Sequence, residues 1–216
     1  MLEERGMNKY QEMFEYVRQT LAQYDGHGGK AKKNIQYSRF EHIRRVYQWM
    51  LRLADGQTGL DMDSLKIAVI FHDIGYCREE DKENHAAHGA EICRRYLAEH
   101  DYSQEQIDFI CDLIARHSDK ETLFQEIPME LVLLMEADLL DDTGAHGVVM
   151  DVWIEALQEG ADFNSMLEHI KRFTHRIMQD NPMRTATGRR IWEEKKELVN
   201  SFVSSLTEDL LVAEQE

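Results

Sequence analysis

The chain has 216 residues, 43% hydrophobic and 31% charged, with a formal net charge of -16. That length suits one domain with a real core, and the composition excludes both a disordered chain and a membrane protein. The acidic balance argues against a nucleic-acid polymer or an anionic membrane surface as partner, yet admits an anionic small substrate, because a bound metal dominates its local field.

The three cysteines, Cys77, Cys93 and Cys111, form no C-x-x-C and no even set, so reduced thiols in a cytoplasm are expected. No apolar run approaches the ~20 residues of a membrane span. The opening "MLEERGMNKY" lacks the apolar core of a signal peptide. The only prolines are Pro128 and Pro182. Helix interiors exclude proline, and alternating β-branched runs are few, so an all-α fold is predicted.

Taken in chain order, Tyr10, Phe14, Val17, Leu21 and Tyr24 step by three and four and predict an amphipathic helix over 7–25. "DGHGGK" at 25 to 30 ends it. This stretch lacks the spacing of a phosphate loop and reads as a connection. "SRFEHIRRVYQWMLRLAD" follows, with Ser38 and Glu41 as a capping box and His42, Val46 and Trp49 or Met50 on one stripe. Asp63 or Ser64 can cap the next helix, "LKIAVIFHDIG", which Gly75 is expected to end. After the polar "REEDKEN", "HAAHGAEICRRYLAEH" returns to helix. Ser103 and Gln106 form another box before "QEQIDFICDLIARH", where Ile107, Ile110, Ile114 and His117 share a face. Pro128 opens "PMELVLLMEADLLDD", with Leu131, Leu134 and Asp138 on one face. Further helices occupy 150–212. The last is expected to turn Ile191, Leu198, Phe202, Leu206 and Leu210 inward. No repeat interrupts the chain, so residues 1–216 read as one compact helical domain.

Polar residues thus fall on inward faces of successive helices: His42, His72 with Asp73, His85 or His88, His117, and Asp138. One such histidine is ordinarily a satisfied core residue. An ordered set of imidazoles and carboxylates is different, because buried charges are normally paired or bound to metal, and this donor mix suits divalent transition ions.

The set resembles the HD-domain superfamily of metal-dependent phosphohydrolases. "HIRRV" at 42 to 46 is similar to the family's first helix, "FHDIG" to its central signature and "EADLLDDTGAHG" to its closing aspartate motif. The likeness covers about residues 38–142. "HAAHGAEI" and "ICDLIARH" resemble the segments of members that hold two metals. The resemblance implies a single-domain helical HD fold and two divalent ions, iron or manganese, with magnesium, nickel, cobalt or zinc as alternatives. Their ligands would be His42, His72, Asp73, His85, His117 and Asp138, with Asp73 bridging. His88 stands as an alternative ligand or substrate contact, and both His85 and His88 can also be read as a solvated helix start.

The implied reaction is hydrolysis of a phosphate ester or anhydride of a small metabolite or nucleotide by a metal-activated hydroxide. Asp73 would orient the nucleophile and Lys120 would reach a phosphate. Arg116 and His146 are further pocket candidates, and Cys77 reads as packing. Two other readings stand beside it: an HD-type di-iron oxygenase and a non-catalytic HD signalling module. A homodimer is compatible with all three. The residues after the HD pair are Ile74, Gly75, Tyr76 and Cys77, where the nucleotidase-like branch carries an acid and the cyclic-dinucleotide branch a lysine. Neither of those activities is implied.

Overall fold

The computed structural model describes residues 7–22 and 39–213, and every regular element among them is helical. Tyr24, the glycines at 26, 28 and 29, His27 and the expected cap Ser38 lie outside the described residues. No helix is long and apolar enough to cross a membrane among the described residues. The chain divides into two compact units, residues 1–135 and 136–216.

In the first unit, α3 (Met62–Phe71) packs on α1 (Lys9–Ala22), α2 (Arg39–Ala54), α4 (His85–Ala98) and α5 (Gln104–Arg116). Its sequence explains that position. "LKIAVIF" is apolar nearly all round, and such a helix belongs in a core. Leu65, Ile67, Val69, Ile70 and Phe71 are fully buried, each worth about 1.5–3 kcal/mol on leaving water.

The helix begins two to three residues earlier than expected. Asp61 is the N-cap and accepts the Ser64 amide at 3.1 Å. Asp63 is committed elsewhere: it accepts the Tyr10 hydroxyl at 2.5 Å and pairs with Lys9, tying α1 to α3. The expected box at the start of α5 forms, with Ser103 and Gln106 bonding reciprocally.

The end of α3 also differs from expectation. The α-helix stops at Phe71, His72 is its C-cap, and Ile74–Cys77 form a 3₁₀ turn. Gly75 does not act through a left-handed backbone, since its φ is not positive. Its role is close approach. A Cβ there would collide with the backbone carbonyl of His85 and lie 2.6 Å from the Gly89 nitrogen. A Cβ on Gly89 would meet the His72 and Phe71 carbonyls at 3.0 and 3.2 Å. The two glycines let the start of α4 lie against the end of α3.

α6 (Met129–Asp141) carries the division between the units. The second unit holds α7 (Gly144–Ala156), α8 (Phe163–Ile170) continued by a π-helical turn at Lys171–His175, and α9 (Ala186–Ala213). Glu136 is fully buried and accepts the Arg184 and Thr185 amides and, at 2.6 Å, the Thr185 hydroxyl. That carboxylate gathers the chain entering α9 and accounts for "RTATG" as a capping segment. Lys195 donates to the Leu140 and Thr143 carbonyls at 2.8 and 3.0 Å, satisfying acceptors at the end of α6.

On α9 the buried stripe is turned one position from the expected one. Ile191 is buried, but Leu198 and Phe202 are 49% and 40% exposed, while Trp192, Val199 and Val203 face inward. Both stripes have the same spacing. The structure buries the one that includes Trp192, the larger apolar surface.

Candidate metal centre

α3 delivers His72 and Asp73 into the interior of the first unit, where Asp73 is 2% exposed and His72 fully buried. An isolated carboxylate at that depth is unfavourable, and the surroundings supply the compensation. His42 comes from the buried stripe of α2, His85 is the first residue of α4, and His117 caps α5.

Their Nε2 atoms converge on the two oxygens of Asp73. Oδ2 lies 3.5 Å from His42 and 3.7 Å from His72. Oδ1 lies 3.6 Å from His85 and 3.5 Å from His117. Bonds of ~2.1 Å to one divalent ion place neighbouring ligand atoms about 3.0–3.4 Å apart, so each oxygen and its imidazole pair is close to the spacing of a shared cation. His72, Asp73 and His117 also form a metal-capable group by themselves.

Two of the rings are fixed from behind. His72 Nδ1 contacts the Val69 carbonyl at 2.8 Å, and His117 Nδ1 the Ile114 carbonyl at 2.7 Å. With Nδ1 as donor, each Nε2 lone pair faces Asp73. This backing is the arrangement that holds a histidine ready for metal. Burial opposes the charge on Asp73, but His72, Arg39, His117 and His42 hold its carboxyl well below the ordinary range.

The other expected residues lie in different settings. His88 contacts Arg78 at 2.8 Å and Asp81 at 3.1 Å, so its ring is engaged with the loop before α4. Lys120 donates to the His117 carbonyl at 3.1 Å, which places its ammonium beside the backbone of a candidate ligand. Arg116 bonds Asp112 at 3.0 Å, and His146 contacts the Asp141 carbonyl at 2.9 Å. Asp138 is half-buried on α6, within the second unit. Cys77 is buried, and burial pushes its thiol up, which disfavours a thiolate nucleophile.

Two residues join the centre that sequence reading left out of the site. Arg39, one helical turn before His42, places Nη1 3.0 Å from Asp73 Oδ2. Its guanidinium lies over the Tyr76 ring, 4.1 Å from the centroid. Tyr76 in turn stacks on His85 at 4.3 Å and 16°. The available signal was the i to i+3 spacing of Arg39 and His42, which sets both side chains on neighbouring rows of α2.

Comparison with known proteins agrees with this frame. Residues 39–143 match the family model described as HD domain. No curated protein matches the chain. A Listeria innocua protein of solved structure is 21% identical with a TM-score of 0.64, covering 95% of this chain and 99% of its own. An HD-superfamily hydrolase from Bacillus thuringiensis is 18% identical with a TM-score of 0.68, covering 94% and 96%. Bacillus subtilis YpgQ, solved in complex with ADP, is 19% identical with a TM-score of 0.66, covering 93% and 94%. The all-helical segment 39–143, with its His-Asp pair, is an HD domain.

Proposed function

We propose that the chain is a metal-dependent phosphohydrolase acting on a small phosphorylated metabolite or nucleotide. The observation that carries this reading is the division of four imidazoles between the two oxygens of one buried carboxylate. His42, His72 and Asp73 Oδ2 would hold one divalent ion, and His85, His117 and Asp73 Oδ1 a second. Asp138 is added on the family resemblance. Iron or manganese suits this mixture of imidazole and carboxylate donors. A bound divalent cation acidifies water and polarises a phosphoryl oxygen.

The protein's part is orientation. The Val69 and Ile114 carbonyls fix the rings of His72 and His117, so the donor set is arranged before substrate arrives. Asp73 remains ionised and able to accept a proton-bearing nucleophile's hydrogen bond. The ADP held by Bacillus subtilis YpgQ supports including nucleoside diphosphates among the substrates tried.

The test is elemental analysis of gently purified protein, followed by phosphate release from phosphomonoesters, diesters and nucleotides with manganese or iron supplied. Bound divalent metal and turnover of at least one class are expected. Asp73→Asn should lower that turnover by more than ~10²-fold, beyond the roughly 10–100-fold typical of residues that only orient a ligand. Metal-loaded protein that hydrolyses nothing across the panel would overturn the reading. Oxygen uptake by an iron-loaded form would assign the di-iron chemistry instead.

A further inference from the structure

Arg39 has no part in holding a cation, since a guanidinium has no lone pair to give and binds anions. Yet Arg39 reaches the centre directly, with Nη1 3.0 Å from Asp73 Oδ2. It also spans the boundary with solvent: its side chain is 40% exposed, against 3% for Asp73. Stacking on Tyr76 at 4.1 Å orients the planar fork. Tyr76 is itself held against His85.

The nearby cations differ. Lys120 donates to the His117 carbonyl, and Arg78 pairs with Glu91 at 2.9 Å and contacts His88. In a chain of net charge -16, an anion approaching a buried carboxylate needs a local positive group.

We infer that Arg39, positioned by Tyr76, is the anion-binding and specificity-determining residue of this centre, with a substrate phosphoryl group as its ligand. Its fork can take two oxygens of a phosphate in one plane, which a lysine cannot. Tyr76 acts through Arg39 as a positioning residue. The inference rests on the phosphohydrolase reading for its choice of ligand. The juxtaposition that carries it is a half-exposed guanidinium clamped between a tyrosine ring and the buried carboxylate on which four imidazoles converge.

The experiment measures binding of inorganic phosphate to the manganese-loaded full chain by calorimetry, with metal content measured on the same samples. Arg39→Ala should weaken phosphate roughly tenfold or more, the measure of one charge-assisted hydrogen bond, and leave metal content unchanged. Arg39→Lys should fall between it and the parent. Tyr76→Ala should weaken phosphate in the same direction, and Tyr76→Phe, which keeps the ring, should recover most of the loss. Parental phosphate affinity in Arg39→Ala would overturn the inference. So would loss of metal together with phosphate, because Arg39 would then serve only to brace Asp73. If wild-type protein turns over no phosphate compound while phosphate binding still depends on Arg39, the anion site stands and the hydrolase reading falls.

Discussion

Asp73 is a side chain that burial alone would drive toward its protonated form, and its neighbours reverse that tendency. The choice between His85 and His88 shows how finely the arrangement is set. They lie one turn apart on α4, yet His85 places Nε2 3.6 Å from Asp73 while His88 contacts Arg78 and Asp81. His85→Ala should therefore lower the metal bound per chain, whereas His88→Ala should leave metal content near the parental value and loosen the loop before α4. Elemental analysis separates the two, and equal metal loss would refute the assignment. His42, His72, Asp73 and His117 were legible because apolar periodicity placed each on an inward face. Arg39 was not, since its contact with Asp73 spans 34 positions in sequence and a helix-surface arginine looks the same whether or not it meets such a partner.

At the scale of elements, the centre depends on how closely α4 approaches the end of α3. Gly75→Ala would set a methyl group into the His85 backbone, which cannot rotate away. Overpacking costs about 1–3 kcal/mol and occasionally more, and this substitution is expected at or above the upper end. Gly89→Ala should cost less, because its nearest atoms lie at 3.0 to 3.3 Å and need to give by only a few tenths of an ångström. Urea unfolding of the two variants beside the parent gives the order, and a Gly75→Ala protein as stable as the parent would contradict the close approach. The glycine itself was visible in the sequence, but as a helix stop. Distinguishing a stop from a contact needs the partner backbone, which local pattern does not contain. The turned stripe of α9 has a similar origin. Periodicity finds a face, and two faces one residue apart satisfy it equally until Trp192 settles which is buried.

For the whole molecule, a ligand set assembled from α2, α3, α4 and α5 exists only when the chain is folded. Metal that binds the folded form alone stabilises it by mass action, by about 2.7 kcal/mol at a hundredfold excess over Kd. For a chain of this size that corresponds to a rise in Tm of roughly 5–10 °C. Thermal scans with manganese and with a chelator test this, and the rise should shrink in Asp73→Asn. An unchanged Tm on chelation would count against a metal bound at the core of the first unit. The all-helical class was readable from composition and proline usage alone. The division at residues 135 and 136 was not, because it falls inside a single helix, α6.

His72 and His117 are the C-caps of α3 and α5, so two helices end at the same place. Aligned peptide dipoles leave about half a negative elementary charge at a helix C-terminus. Two such ends beside Asp73, partly offset by the positive end of α4 at His85, add a fraction of a negative charge built from peptide groups that no side-chain substitution removes. The field that favours a cation there is therefore partly a property of the main chain. Even a variant whose carboxylate is replaced by an amide would keep some preference for a cation over an anion, and a negatively charged substrate would meet that same field as it approached.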